Sequence, residues 1–277
     1  MQTKWTGERL ETFVLNEATV EHLHRYAIAG EYVKDKVVLD IACGEGYGSN
    51  LLSKNARAVT GVDIDAQTVN AASGRYSRNN LKFIQGRVED IPAAENSFDV
   101  VVSFETLEHS SEHEKIFSEI KRVLKPGGLL IISTPEKKYY TDIPGSRNSF
   151  HLKEVYEHEL THLLRSHFSH YYCFYQSSGL SSVAIAEGKN ATTIYEGDYG
   201  AIEAARSMKP IYLIAIASDN EIDKPSSSIF LGRLIFQAAL SDKERELKNT
   251  LSYKTGHFLL QPIRMIRNLF KKQRGGL

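Results

Sequence analysis

Two groups of residues have the types and the spacing to do chemistry, and the first is a glycine-rich turn. Gly44, Gly46 and Gly48 come directly after the apolar run at 37–41. Glycine lets a backbone turn sharply and lie close against a ligand, where a Cβ would obstruct it. The spacing G-x-G-x-G differs from the G-x-G-x-x-G of dinucleotide folds, and no G-K-[ST] comes after it to hold a triphosphate. By itself the turn is also typical of a plain strand-to-helix connection, so its meaning depends on residues further along the chain.

The second group is Glu105, Glu108 and His109, which share the pattern E-x-x-E-H. This spacing brings the three side chains to one side of a helical turn. Two carboxylates and an imidazole suit a divalent ion, and hard oxygens favour Mg²⁺ or Mn²⁺ over zinc. The same residues could instead work without metal, with His109 as a general base. A third interpretation is that the acids only stabilise a helix start through the macrodipole.

Two further acids accompany the glycine turn. Asp40 lies in the strand before it, four residues ahead of Gly44. Asp63 closes the next apolar run, and an acid at the tip of a second strand is placed to accept hydrogen bonds from both hydroxyls of a ribose. Asp65 is better suited to begin the following helix.

The elements that must position these residues alternate between strand and helix patterns. Apolar runs predict buried strands at 37–41, 58–65, 81–86, 97–104, 129–133, 170–176 and 211–217. Helical patterns occupy 16–28, 49–54, 65–76, 113–124 and 151–164. Such alternation implies right-handed crossovers and a parallel sheet with its ligand at the carboxyl ends of the strands. The polar stretch 136–148 is longer than a minimal connection and is a candidate substrate loop.

Composition narrows the class of protein. The 277 residues contain 34 basic and 34 acidic side chains, so no net field favours nucleic acid. The first sixteen residues are polar where a signal peptide would be apolar, and no run approaches the roughly 20 apolar residues of a membrane span. Cys43 and Cys173 make neither a disulfide framework nor a zinc site. These features predict a cytoplasmic globular protein without a nucleic-acid partner.

Across roughly residues 36–135 the motifs occur in the order of a known family. The strand and glycine turn, Asp63, Phe-Asp-Val-Val at 98–101 and Leu-Lys-Pro-Gly-Gly at 124–128 together resemble class I S-adenosylmethionine-dependent methyltransferases. The resemblance implies an α/β, Rossmann-like, doubly wound and mostly parallel sheet of seven strands, the last antiparallel. It also implies S-adenosylmethionine as the cofactor.

By the same resemblance, the glycine turn holds the methionine part of the cofactor, Asp63 its ribose, and the backbone around Val88 its adenine. Many members carry an acid where Arg87 stands, so Glu89 or Asp90 would substitute for it. Phe104 is either a wall of the reaction crevice or core. The predicted cofactor-binding residues are Asp40, Cys43, Gly44, Gly46, Tyr47, Gly48, Asp63, Ile64, Val88, Glu89 and Phe104.

E-x-x-E-H resembles the motif of metal-dependent O-methyltransferases, in which a downstream histidine completes the site. His151, after the candidate substrate loop, would be that histidine. The resemblance therefore implies Glu105, Glu108, His109 and His151 as ligands of Mg²⁺ or Mn²⁺. With or without metal, the predicted catalytic residues are His109, Glu108 and His151.

The C-terminal segment 257–274 combines apolar and basic residues in a helical pattern. Such a segment indicates a peripheral contact with a membrane surface or with a partner such as a glycosyltransferase, or packing on its own domain or in a homodimer. This tail, Gly-Glu-Arg-Leu at 7–10 and Asn-Ser-Phe-His at 148–151 resemble methyltransferases of bacterial surface-polysaccharide gene clusters. The acceptor implied is a sugar hydroxyl or terminal phosphate of a glycan. The alternatives are a quinone or natural-product methyltransferase and a non-catalytic cofactor-fold subunit.

The predicted organisation has three parts. Residues 1–35 form a helical cap, residues 36–218 the cofactor-binding domain, and residues 219–277 a linker with C-terminal helices. The sequence makes no prediction of the oligomeric state.

Overall fold

The computed structural model describes residues 10, 12–178, 181–186, 195–197, 202–204 and 209–255. The chain forms two compact units, residues 1–232 and residues 233–277. The first unit contains the sheet and the predicted site. The described part of the second unit is helical, with α6 at Arg233–Asn249. The division predicted at 35/36 and 218/219 remains a prediction.

The strands of the first unit match the alternation expected from the sequence. They are β1 Val37–Ile41, β2 Ala58–Asp63, β3 Leu81–Gln85, β4 Phe98–Phe104, β5 Leu124–Pro135, β6 His170–Ser178, β7 Ser181–Ala186, β8 Tyr195–Gly197, β9 Ile202–Ala204, β10 Tyr212–Ser218 and β11 Ser228–Leu231. β8 and β9 form a separate antiparallel pair. The other nine strands form one sheet in the order β11-β7-β6-β10-β5-β4-β1-β2-β3.

The predicted Rossmann-like sheet is confirmed, with two more strands than the expected seven. β1 to β5 pair in parallel, and β10 is inserted antiparallel between β5 and β6. β7 and β11 extend the edge beyond β6. The sequence around β7 has no clear period, and the serines at 226–228 have the composition of a linker, so neither edge strand was predicted.

Six helices accompany the strands. They are α1 Glu17–Gly30, α2 Tyr47–Leu52, α3 Ala66–Arg75, α4 His113–Val123, α5 Glu157–His167 and α6. Asn16 caps α1 as predicted: its side chain accepts from the amide of Thr19, and the Thr19 hydroxyl accepts from the amide of Asn16. Asp65 caps α3 in the same way, accepting from the amides of Gln67 and Thr68.

The helix predicted at 151–164 is wrong at its start, since α5 begins six residues later at Glu157. The amides of Leu152 and Lys153 both donate to the carbonyl of Glu108, at 2.9 and 3.1 Å. This tertiary pairing takes the place of a first helical turn. His151 therefore lies in an irregular connection that is tied to the Glu108 backbone.

Two short helical turns occur near the predicted site. The 3-10 turn Leu107–His109 comes after β4, and the π-helical turn Lys138–Asp142 lies in the candidate substrate loop. The basic tail 257–274, Arg9 and most of the 7–10 motif lie outside the described residues. No helix among those that are described is long and apolar enough to cross a membrane.

A buried polar cluster joins α1 to β1 and α2. Asp40, on β1, is fully buried and accepts a 2.6 Å hydrogen bond from the Ser49 hydroxyl. The Tyr26 hydroxyl of α1 donates to the same carboxyl at 3.3 Å. The ring of Tyr26 lies edge-on to Tyr47 and Phe104, with ring centroids 5.6 and 5.1 Å away. The cluster thus fixes the first helix over the glycine turn.

Gly48 tests how tightly this cluster is packed. A Cβ at Gly48 would lie 1.9 Å from Cζ of the buried Tyr26, whereas a Cβ at Gly74, also helical, would meet nothing within 4 Å. Helix propensity alone favours alanine at both sites by up to about 1 kcal/mol. We expect Gly74→Ala to stabilise the protein and Gly48→Ala to destabilise it by about 1–3 kcal/mol, because overpacking displaces Tyr26. Denaturant unfolding measures both, and equal signs would contradict the packing.

Asp40 also predicts a pH dependence of stability. Burial raises its pKa to about 7, while hydrogen bonds from Ser49 and Tyr26 oppose that rise. The folded state therefore binds more protons than the unfolded state between about pH 4 and 7. Relative to Asp40→Asn, the wild type should lose up to about 4 kcal/mol of unfolding free energy as the pH rises through this window. A constant difference between the two proteins from pH 4 to 8 would contradict this.

Candidate functional site

A cavity of about 510 Å³ opens at the carboxyl ends of β1, β2 and β4. This volume is typical of small-molecule sites. We call one part of it the glycine end, lined by Cys43, Gly44, Asp63, Ile64, Val88 and Glu89. We call the other part the acidic end, lined by Glu21, Glu105, Glu108, His109, His151 and Tyr212.

The glycine end is held in shape by the tip of β2. The turn passes through left-handed backbone at Ala42, Gly44 and Gly46, with φ of 53°, 52° and 81°. The Gly44 amide donates to Oδ2 of Asp63 at 3.0 Å, and the Asp65 amide donates to Oδ1 at the same distance. The carboxylate thus joins the glycine turn to the start of α3.

The residues of this end fit S-adenosylmethionine. A carboxylate offers about four lone-pair sites, so each oxygen of Asp63 can accept a second bond, such as one from a ribose hydroxyl. The apolar side chain of Ile64 lines the cavity yet is 52% exposed, as a wall for a flat heterocycle would be. Glu89 lines the cavity and accepts from the Ser110 hydroxyl at 2.8 Å, while Asp90 is exposed outside it.

Most predicted cofactor residues reach this cavity. Those that line it are Cys43, Gly44, Tyr47, Asp63, Ile64, Val88, Glu89 and Phe104. Asp40, Gly46 and Gly48 do not line it and instead shape the turn from behind. A Cβ at Gly46 would come within 2.6 Å of the Phe83 ring. His22 and Tyr26 of α1 line the cavity as well, consistent with the expected cap.

The acidic end brings together three of the four predicted metal ligands. Nitrogen and oxygen atoms of Glu108, His109 and His151 all lie within 4.8 Å of one another. Glu105 is not part of this cluster. Its backbone is left-handed, with φ of 49°, and its carboxylate accepts from the Ser133 hydroxyl at 2.6 Å. Glu105 therefore points to β5 and to Arg25, whose nearest nitrogen is 3.5 Å away.

The hydrogen bonds of the two histidines differ. Nδ1 of His109 lies 3.1 Å from the carbonyl of Phe150, so it donates and the lone pair is on Nε2. His151 uses both nitrogens: Nδ1 contacts Glu154 at 2.6 Å, and Nε2 lies 2.9 Å from the amide nitrogen of Asn148. The Asn148 oxygen accepts from the Phe150 amide, which orients that amide nitrogen toward His151.

Burial changes the charges of this end. Burial, and then the neighbouring Glu105, raise the pKa of Glu108 well above its ordinary value. Burial also raises the pKa of Glu21, against the attraction of Arg25. Both acids consequently have a reduced tendency to ionise.

Sequence reasoning missed Glu21 as a site residue and recognised Arg25 only as part of the cap. Arg25 is fully buried, donates to Gln176 at 2.8 Å, and lies 4.3 Å above the ring of Tyr212. Burial lowers its pKa, but Glu105, Tyr212 and Glu21 outweigh that effect and raise it. The spacing of Glu21 and Arg25, four residues apart on one helix, was the available signal.

Comparison with known proteins agrees with this geometry. Residues 39–132 match the family model described as a methyltransferase domain. A probable S-adenosylmethionine-dependent methyltransferase of Mycolicibacterium smegmatis is 39% identical over 132 residues, 47% of this chain and 50% of that protein. A fatty-acid O-methyltransferase of the same species is 30% identical over 136 residues, 48% of each protein. The chain spans about half the length of these relatives.

Solved structures show the same fold at low sequence identity. The YcgJ protein of Bacillus subtilis has a TM-score of 0.52 and 22% identity, covering 56% of this chain and 73% of that one. An S-adenosylmethionine-dependent methyltransferase of Thermotoga maritima has a TM-score of 0.51 and 16% identity, covering 72% and 89%. The resemblance to surface-polysaccharide methyltransferases stays a prediction. Residues 39–132 are thus a class I S-adenosylmethionine-dependent methyltransferase domain with the Rossmann-like fold expected of that class.

Proposed function

We propose that the chain transfers the methyl group of S-adenosylmethionine to a neutral hydroxyl of a saccharide, with His109 as the general base. The observation that carries this proposal is the composition of the acidic end. Three carboxylates, two histidines and a tyrosine line it, directly beside the glycine end.

The charge of the acidic end favours a hydroxyl over an anionic acceptor. Glu21, Glu105 and Glu108 would repel a terminal phosphate or a carboxylate. Arg25, the buried cation of this region, is already engaged by Gln176, Tyr212 and Glu105. Carboxylates accept readily from hydroxyl groups, so a polyhydroxylated acceptor can satisfy them. Of the two acceptors implied by sequence, we therefore favour the sugar hydroxyl.

Bound S-adenosylmethionine would supply an electrophilic methyl group, and the chain has to align the acceptor and remove its proton. His109 carries its lone pair on Nε2 and would take the hydroxyl proton there, while its Nδ1 donates to Phe150. Glu108 lies close enough to share the positive charge that then forms on the imidazole. Phe104, 5% exposed, helps to keep water from the junction of the two ends.

A divalent ion at Glu108, His109 and His151 is the weaker of the two catalytic hypotheses. An ion bound by His151 would have to displace either Glu154 from Nδ1 or the Asn148 amide from Nε2. Glu105, the fourth implied ligand, points away to Ser133. We therefore propose base catalysis and expect methyl transfer to persist in excess EDTA.

A second candidate acceptor is a lipid-like or quinone hydroxyl. The observation that favours it is the set of relatives, which includes the fatty-acid enzyme and a ubiquinone biosynthesis O-methyltransferase of Coxiella burnetii, 29% identical over 138 residues. Those alignments cover 48% and 59% of the respective proteins, so they leave the acceptor of this chain open.

Asp63 tests the cofactor assignment by binding alone. Asp63→Asn removes the charge and one acceptor atom at the glycine end, so we expect S-adenosylmethionine to bind roughly ten- to a hundredfold more weakly. Asp99→Asn is the matched control, because Asp99 also accepts from a backbone amide, that of Val37, outside the cavity. Titration calorimetry should show unchanged affinity for the control. Equal affinity of all three proteins would contradict the assignment.

The acceptor and the base are tested by transfer of a labelled methyl group. Wild-type protein is offered neutral saccharides, sugar phosphates, phenolic quinols and fatty acids in parallel. We expect label in the neutral saccharides, and label confined to phosphates or fatty acids would contradict the proposal. Label confined to quinols would favour the second candidate.

With the acceptor so found, His109→Ala should lower kcat by roughly a hundred- to ten-thousandfold. Cofactor affinity should be unchanged, because His109 lies at the acidic end. His158→Ala is the control: this exposed histidine stacks on Tyr156 with ring centroids 5.6 Å apart and does not line the cavity. Full activity in His109→Ala would exclude the base.

A further inference from the structure

The candidate substrate loop has two different faces. Tyr140, Asn148 and His151 line the cavity. Three large apolar side chains of the same loop are turned to solvent instead: Ile143 is 63% exposed, Phe150 48% and Leu152 67%. The hydrophobic effect disfavours such exposure unless a partner covers these side chains.

Basic side chains accompany these apolar ones. Lys138, Arg147 and Lys153 are all exposed on the loop. The acids of this stretch are otherwise engaged, since Glu154 contacts His151 and Thr141, and Asp142 accepts from the Tyr156 hydroxyl. The outer face of the loop therefore combines apolar and positively charged groups.

We propose that this outer face docks on a lipid surface that carries anionic headgroups. Apolar side chains insert at the boundary of headgroups and acyl chains, and lysine and arginine are attracted to the negative surface potential. The proposal rests on residues 138–153, not on the tail at 257–274, and it needs no methyl transfer. A protein partner would have to match both the apolar and the basic groups, whereas an anionic bilayer supplies both complements.

Docking there would orient the site. The Phe150 carbonyl accepts from His109, and the Leu152 amide donates to the carbonyl of Glu108. The loop that meets the lipid is thus bonded directly to the acidic end. The cavity mouth would open next to the membrane, so an acceptor anchored in the bilayer could enter it.

Local fluorescence tests insertion on the full chain. Cys43 and Cys173 are both buried, so an environment-sensitive dye can be attached selectively to Leu152→Cys. Ile229→Cys is the matched control, because Ile229 is 65% exposed and lies on β11. With vesicles of equal parts phosphatidylcholine and phosphatidylglycerol, we expect a blue shift at position 152 and none at 229. No shift at 152, or equal shifts at both positions, would overturn the proposal even if the tail binds vesicles.

The charge contribution is measured by vesicle partitioning. Each basic side chain near an anionic surface strengthens partitioning by roughly fivefold, so Lys138→Gln, Arg147→Gln and Lys153→Gln together should weaken the loop's contribution by roughly a hundredfold. The readout is the vesicle concentration at which the blue shift at position 152 is half complete. An unchanged concentration would overturn the electrostatic part, and an unchanged melting temperature of the variant would show that its fold is intact.

Discussion

The hydrogen bond from the Gly44 amide to the Asp63 carboxylate is the constraint on which the rest of the site depends. It joins the tip of β1 to the tip of β2 across 3.0 Å and stabilises a turn that passes through three left-handed residues. The opposite oxygen of Asp63 receives the amide of Asp65, which caps α3. A single buried carboxylate thus sets the relative positions of strand, turn and helix, and leaves lone pairs directed to a ligand.

At the acidic end, Arg25 has a comparable connecting role. This buried guanidinium joins α1 to β6 through Gln176, to β10 through Tyr212, and to the tip of β4 through Glu105. A buried charge is tolerated only when it is paired and hydrogen-bonded, so the carboxylates around it are needed for the fold as well as for binding. Neither terminal nitrogen of Arg25 has a hydrogen-bond partner among the described residues. The strained backbone of Glu105 is consistent with a residue held by these tertiary contacts.

Much of the fold was accessible from sequence, because local patterns determine it. The period of apolar residues places β1 to β5, and capping residues place the starts of α1 and α3. The start of α5 was wrong because Leu152 and Lys153 bond to the carbonyl of Glu108, which no local pattern records. Glu105 separated from its expected partners for the same reason: spacing puts it beside Glu108, but Ser133 and Arg25, distant in sequence, decide where its carboxylate points.

Every step of the proposed transfer requires the glycine end to hold S-adenosylmethionine by its ribose. The most direct measurement is a crystal structure of the chain with S-adenosylhomocysteine, the product of methyl transfer. We expect both ribose hydroxyls within hydrogen-bond distance of Asp63 and the adenine ring against Ile64. Ligand bound elsewhere, or a ribose away from Asp63, would contradict the central claim.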